Sequence, residues 1–480
     1  MIAHLYDFAA RAWMRLAALL AALLVASPAF ALDRFQVEGY ELPNGLQVIL
    51  KPGYDRGHVA IRLVVGVGFD DFPCAQQELP HLLEHLLFSG LDGGGEGELE
   101  ARMQALGGEW NAFTSTSDTT FVIEAPARNQ RKVLDLLLDI ITQTRIDAHA
   151  LKLSQAIVEH EDGGHYSHLQ RLLDRQDVSH DSADQLAVEL GLKCAQRSDV
   201  NSLTLEQVLA VRHKWYAGNN MTLIVVGDLD RLLPAYLERR YGTLKSVDNN
   251  DQFGLLTINH AAEQERTLHT DWLGDSTTLH WFFIEPALED MPPATLDLLQ
   301  AYLDWALYTE LRLQHGLSYG PWSQRDAYGD SGMLSLNADL DRQDVGQAKN
   351  ILAQLLKNLQ EKGLDPAMFE RLKQQAIARE AWAVQGNTAL ADYYWNNLDD
   401  YGDGHFSNPV DGMQAVTLEQ ANRAMRQLFA KPGYLRIEQP WLSDNQLYLL
   451  GAGALAGLAI LLAAGLFVMK SSRRRREAEQ

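Results

Sequence analysis

Two homologous α+β units, each an antiparallel-rich sheet packed with helices, followed by one membrane-crossing helix, are the architecture this sequence encodes. Three observations lead to it. Short β-branched runs and helical stretches come in segregated groups rather than in strict alternation. A pattern that begins at Thr204 returns at Thr417. A long uncharged run near the end closes on a block of arginines.

The first 31 residues carry Arg11 and Arg15, an apolar run from Leu16 to Val25 and the small-residue sequence Ala29-Phe30-Ala31. This reads as a cleavable export signal, because about ten apolar residues are too few to span a bilayer. Gln47 to Leu50 and His58 to Val67 are rich in β-branched residues around Lys51-Pro52-Gly53 and predict strands. A largely buried helix follows over 79–88, where Leu82, Leu83, Leu86, Leu87 and Phe88 surround three polar residues. After Gly93-Gly94-Gly95 come a helix over Leu99 to Leu106, its stop at Gly107-Gly108, and a Thr-rich strand from Phe113 to Glu124. Arg131 to Thr144 and Ala148 to Glu161 predict two further helices.

Thr204-Leu205-Glu206-Gln207 opens a helix running to Trp215-Tyr216, with a strand from Thr222 to Val226 behind it. Thr417-Leu418-Glu419-Gln420 opens a helix to Leu428-Phe429, with a strand from Tyr434 to Ile437 behind it. A shared tetrapeptide with a matching downstream pattern marks an internal duplication. The expected division is therefore a first unit at 32–245, a linker at 246–256 beginning with the polar stretch Ser246 to Gln252, and a second unit at 257–440.

Leu447 to Met469 is a 23-residue stretch without a charge, followed by Lys470 and Arg473 to Arg476. It predicts a transmembrane helix at 447–469 with a basic cytoplasmic tail at 470–480. The body then lies on the other face of the membrane, as the export signal independently requires, which describes a single-pass protein of a bacterial inner membrane with its body in the periplasm. The whole chain has 63 acidic and 41 basic residues, a net charge of -22. Several of those basic residues sit in the two terminal segments, so the body is more acidic still. Such a surface repels nucleic acid. Cys74 and Cys194 are the only cysteines. An oxidising compartment permits their pairing, and neither lies in a paired-cysteine metal motif.

The chemistry is concentrated in His81-Leu82-Leu83-Glu84-His85. On a helix the residues at i and i+4 share a face, so both imidazoles can reach one ion, with Glu84 beside them. Two histidines and one further protein ligand leave a tetrahedral zinc an open position, where water reaches a pKa of about 7. Glu84 is then placed to take that proton as general base. The order H-x-x-E-H is the inverzincin signature. Two histidines on a helix flank are unremarkable alone, but a polar trio within an apolar helix needs partners, and a metal supplies them.

With Leu42-Pro43-Asn44-Gly45-Leu46, the motif helix, Phe88-Ser89-Gly90, Gly107-Gly108, Asn111-Ala112-Phe113-Thr114-Ser115, and Asn219-Asn220-Met221 ahead of Gly227-Asp228, the chain resembles the pitrilysin or insulinase-like zinc metallopeptidases. The likeness is to their processing-peptidase-like branch with two units per chain, and it covers nearly all of 32–440. It implies a zinc endopeptidase acting on unfolded peptides or small proteins.

The resemblance also implies particular residues. The family's third zinc ligand is a glutamate on a later helix, leaving Glu159 and Glu161. Counting from Asn111 without a gap puts the ligand at Glu161, with Ile157-Val158 in their usual place, and leaves Glu159 as the fallback. Two positions apart on a helix point about 200° apart, so only one can face the metal. Many relatives carry another acid two turns earlier, where this chain has Ser154. Gly163-Gly164 predicts an early end to the ligand helix, and His160, His165 and His168 read as surface residues. Arg312 and Tyr319, seven residues apart, match the family's arginine and tyrosine that hold substrate and stabilise the oxyanion. Asn111, Ala112, Phe113 and Thr114 match the edge strand to which substrate adds. Four such units close one chamber in the family, so two per chain imply a homodimer. Arg312 and Tyr319 are then expected to act on the other chain's zinc. A relative without activity, serving as a peptide-binding or scaffold subunit, is the alternative.

Overall fold

The computed structural model describes residues 33–91, 96–161, 182–194, 198–247, 262–269, 272–286, 291–329 and 331–478. The export signal, the glycine triplet at 93–95, Gly163-Gly164, His165, His168 and most of the 246–256 linker lie outside the described residues.

The first sheet has six strands: β1 (Glu38–Glu41), β2 (Gln47–Pro52), β3 (His58–Val65), β4 (Glu109–Thr114), β5 (Thr119–Pro126) and β6 (Met221–Gly227), in the order β1-β2-β6-β3-β5-β4. The second has five: β7 (Glu265–His269), β8 (Ser276–Ile284), β9 (Trp322–Tyr328), β10 (Ser331–Asp341) and β11 (Tyr434–Gln439), in the order β7-β11-β8-β10-β9. Without the short β1, the two orders correspond strand for strand. In both, the first pair is parallel, β2 with β6 and β7 with β11, and the remaining pairs are antiparallel. The expected antiparallel-rich sheets are thus mixed sheets, each with a parallel pair.

The repeated tetrapeptide is a capping box in each unit. Gln207 N donates to Thr204 Oγ1 at 3.3 Å while Thr204 N donates to Gln207 Oε1 at 2.8 Å. Gln420 and Thr417 repeat the exchange at 3.2 and 2.8 Å. Two orphan donors of the helix start are satisfied each time, which is why the motif marks the boundary so sharply.

One expectation is corrected. The stretch from Phe113 to Glu124 is not a single strand, because β4 and β5 form a hairpin around Ser115 to Asp118. Ser115 N donates to Asp118 O at 2.8 Å, Ser115 Oγ to Asp118 Oδ2 at 2.9 Å, and Asp118 N to Ser115 Oγ at 3.0 Å. Short polar side chains that bond their own backbone turn a run that otherwise alternates like a strand.

The units are not simply consecutive beads. Helix Ser182–Glu189, which precedes the last strand of the first unit, packs on the second sheet, where Ala183, Leu186, Ala187 and Leu190 meet Phe282 and Met333. Helix Asn387–Asn396 packs on the first sheet, with Leu390, Ala391 and Tyr394 against Ile49, Ala60, Ile224 and Val226. Each sheet presents one fully buried arginine to the incoming helix, which brings the carboxylate. Arg62 Nε lies 2.8 Å from Asp392 Oδ1, and Arg436 Nη2 lies 2.7 Å from Glu189 Oε2. A buried guanidinium that loses an acid partner is destabilised, and here one such partner comes from the other unit, so this exchange ties the units together.

Cys74 and Cys194 form a disulfide with their Cα atoms 5.6 Å apart. It joins the segment leading into the motif helix to the segment leaving the helix that crosses to the second sheet. The last element is a continuous helix, Asp444–Ala478, so the basic run expected as a separate tail continues it. Asp444–Ser472 contains an 18-residue stretch with a mean hydropathy of 2.3, none of it buried in the body, and is long and apolar enough to cross a membrane.

Candidate metal centre

Helix Leu79–Leu87 carries the motif. It buries Leu79, Leu82, Leu83, Leu86 and Leu87, which turns His81 and His85 together toward helix Ala148–Glu161. The approach to it is tight. Phe69 N donates to Ser115 O at 3.0 Å and Asp70 N to Thr116 O at 2.9 Å. A Cβ on Gly68 would lie 2.5 Å from backbone atoms of Ser115, Thr116 and Ser117, so only glycine lets the chain pass the hairpin turn. At the helix start, Glu78 N donates to Ser198 Oγ at 3.0 Å, beside the disulfide.

Helix Ala148–Glu161 starts at Asp147, whose Oδ1 accepts from the N–H groups of His149 and Ala150 at 2.9 and 3.0 Å. These two bonds hold the Asp147 carboxyl below its usual range. Leu151, Ser154, Gln155 and Val158 form its buried stripe, and Gln155 Nε2 donates to Val200 O and Leu203 O at 2.9 and 3.0 Å. Three residues beyond Val158, Glu161 continues that stripe into the site. Glu159 points elsewhere, with its Oε2 3.3 Å from Asn201 Nδ2. His160 is exposed. Ser154 is 3% exposed and occupies the inner face where the resemblance leads one to look for a second acid.

His81 Nε2 and His85 Nε2 are 3.2 Å apart, His85 Nε2 and Glu161 Oε2 are 3.2 Å apart, and His81 Nε2 and Glu161 Oε2 are 3.3 Å apart. Nitrogen and oxygen ligands about 2.0–2.1 Å from a tetrahedral ion stand about 3.3 Å from one another. The donor set, two imidazoles and a carboxylate, and its edge lengths therefore fit a zinc-like ion. Side-chain exposures of 19% for His81, 21% for His85 and 49% for Glu161 leave the group walled on the motif-helix side and open toward Glu161.

Three neighbours complete it. Glu78 Oε2 lies 3.0 Å from His81 Nδ1, the ring nitrogen that faces away from the other two donors. Burial pulls the His81 imidazole down, but the hydrogen bond and charge of Glu78, reinforced by Glu84 and Glu161, outweigh it and hold the ring above its ordinary value. Glu84 is 8% exposed, and its Oε2 accepts from Thr114 Oγ1 at 2.7 Å, so the last residue of β4 aims this carboxylate. Burial and then the charge of Glu84 push the Tyr216 phenol well up, keeping it neutral. The sequence reading missed Glu78 and the bond from Thr114. The spacing of Glu78 three residues before His81 was a usable signal, whereas nothing in the sequence pairs residue 114 with residue 84.

β4 is the edge of its sheet, as expected for Asn111 to Thr114. Phe113 is 48% exposed, and its ring stacks near Trp395 with centroids 6.4 Å apart. A cleft of about 590 Å³ continues from the β4 turn past Glu78, between Phe69 and Thr116 on one side and Arg325 and Tyr328 on the other. Arg312 and Tyr319 do come together. The guanidinium lies 4.2 Å from the Tyr319 ring centroid and 5.1 Å from that of Tyr308, and Arg312 Nη1 donates to Tyr319 O. Tyr319 is 83% exposed. Among the described residues, neither makes a hydrogen bond or ion pair with His81, Glu84, His85 or Glu161.

Comparison with known proteins places the chain in a family. Residues 49–183 match the family described as insulinase (peptidase family M16), and residues 202–376 match the peptidase M16 inactive domain. The chain is similar to the uncharacterized zinc protease YmxG of Bacillus subtilis, 22% identical over 419 residues that cover 84% of this chain and 98% of that one. Its fold resembles that of a protease from Helicobacter pylori, with a TM-score of 0.68 and 19% identity over 85% of this chain and all of that one. It also resembles the periplasmic protease PqqL from Escherichia coli, with a TM-score of 0.67 and 17% identity over 84% of this chain and 45% of that one. With two M16 domains in tandem, relatives called zinc proteases and the fold of M16-like peptidases, this chain belongs to the pitrilysin or insulinase-like peptidase family.

Proposed function

We propose that the chain is a membrane-anchored zinc endopeptidase that cleaves unfolded peptides, with the metal held by His81, His85 and Glu161. The observation that carries this reading is the triangle of donor atoms with edges of 3.2–3.3 Å, which brings Glu161 to two histidines on a helix 76 or more positions earlier, beside a buried Glu84. A bound zinc ion would lower the pKa of water to about 7 and polarise the scissile carbonyl. Glu84, aimed by Thr114, takes the proton of the attacking water and delivers it to the departing amine. Edge strand β4 lines up the substrate backbone through Asn111 to Thr114, so recognition rests on main-chain pairing rather than side-chain sequence. Arg312 and Tyr319 hold substrate and oxyanion, and their position in the second unit suits action across a homodimer, those of one protomer serving the site of the other.

The division into a first unit at 32–245, a linker and a second unit at 257–440 belongs to the same reading. So does a span at 447–469 that sets the body in the periplasm of a bacterial inner membrane. The buried Ser154 favours a second reading, a slow or inactive peptide-binding subunit.

The test is zinc content and cleavage of a quenched peptide by wild type and Glu84→Gln. The proposal expects stoichiometric zinc in both and turnover lower by about 10²–10⁴-fold in the variant, the range for loss of a general base. Equal turnover would exclude Glu84 as the base, and zinc without turnover in wild type would favour the binding subunit. Mixing Glu84→Gln with Arg312→Ala tests action across the dimer, which requires activity to return.

A further inference from the structure

We propose that the second unit sits directly on the membrane, through an aromatic seat formed by Trp272, Leu273 and Trp441 in the headgroup region of the bilayer. The inference rests on the reading that Asp444–Ser472 spans the membrane, and goes beyond it by assigning a lipid-contacting surface on the body.

The connection between body and helix has no slack. Leu442 N donates to Trp272 O at 3.0 Å and Gly274 N to Leu442 O at 3.0 Å, so Leu273 and Leu442 form a parallel bridge. Arg342, which directly follows β10, donates from Nη1 to Pro440 O at 3.2 Å. The helix is then capped at once, with Ser443 N donating to Gln446 Oε1 at 2.9 Å and Gln446 N to Ser443 Oγ at 3.1 Å. A connection bonded to the body at Pro440 and Leu442 and capped into a helix at the next residue does not swivel as a flexible linker does. The orientation of the helix therefore determines which face of the body meets the lipid.

That face is the end of the second sheet where His269, Gln439, Ser276 and Asp341 terminate their strands. It carries large apolar groups that the body does not use. Trp272 is 65% exposed, Trp441 57% and Leu273 46%, and the Trp441 ring stacks on His269 with centroids 4.1 Å apart. Tryptophan, with an apolar ring and one N–H donor, concentrates at the membrane–water boundary. Two exposed tryptophans, Trp441 just before an unburied apolar helix and Trp272 bonded to the adjoining Leu442, suit that boundary better than water.

The experiment uses the full chain in liposomes, with an environment-sensitive fluorophore on single introduced cysteines and lipids that carry a quencher high on the acyl chain. The native cysteines are paired and remain unlabelled without reductant. Leu461→Cys reports the helix, Leu273→Cys the proposed seat, and Lys431→Cys the opposite end of β11. The expected result is quenching at 461 and 273, several-fold above that at 431, with the 273 signal falling when Trp272→Ala and Trp441→Ala are added and the 461 signal unchanged. Quenching at 461 with 273 no higher than 431 would overturn the seat and leave the anchor intact. Absence of quenching at 461 would remove the anchor, and the seat with it.

Discussion

Replacing Glu78 by glutamine removes the charge that faces His81 Nδ1 at 3.0 Å while keeping a side chain of the same shape. Little else should change. Glu78 stands at the start of the motif helix without a side-chain capping bond, and its link to Ser198 uses the backbone N–H. The side chains are only 11% exposed for Glu78 and 19% for His81, so solvent screens their interaction weakly. A carboxylate behind a ligating histidine fixes its tautomer and raises its basicity, and losing such a partner costs about 10–100-fold in metal affinity. That corresponds to about 1.4–2.8 kcal/mol. Glu78→Gln, which can still accept a hydrogen bond, belongs near the lower figure, and Glu78→Ala near the upper. Competition with a chromophoric zinc chelator measures the affinity, and thermal unfolding with excess zinc checks that the fold survives. Zinc affinity unchanged in both variants would refute the idea that this carboxylate tunes the centre.

Other outcomes follow from the same geometry. Glu161→Ala should lose zinc in equilibrium dialysis while Glu159→Ala keeps it, because only Glu161 faces the two imidazoles. Cys74→Ser with Cys194→Ser should lower stability by about 2–5 kcal/mol in denaturant titration, as expected for a cross-link closing a long loop. Asp392→Ala leaves the buried Arg62 with Glu124 as its remaining acid, and should cost about 1.5–3 kcal/mol in the same assay. Burial raises the Glu438 carboxyl, but the His280 imidazole 3.6 Å away and the hydrogen bonds from Ser182 outweigh this and hold it below its usual range. Its stabilising contribution is therefore complete above the ordinary glutamate pKa and lost as pH falls through the lowered value. Melting temperatures should drop less steeply with acid in Glu438→Gln than in wild type, and parallel curves would refute this.

Much of the architecture was legible because local rules coincide with the final structure. The boundaries of the helix Ala148–Glu161, and of the helices after Thr204 and Thr417, follow from caps and apolar spacing within a few residues of each. The hairpin at Ser115 to Asp118 was not, since its side chains compete with the ladder only once the turn has formed. Choosing Glu161 over Glu159 needed the family's spacing, although the stripe Leu151, Ser154 and Val158 carries the same answer for a reader who extends it one step.

The sequence by itself determined what is written in short-range periodicity: the two imidazoles one turn apart, the duplicated capping boxes and the uncharged run before the arginines. Only the tertiary structure decided which distant groups meet. The carboxylate of residue 161 joins the histidines, Thr114 aims Glu84, the two cysteines pair, and each unit lends a helix to the other's sheet. The physical reason is that periodicity records which face of an element is apolar, whereas the partner for that face is selected by packing of the whole chain.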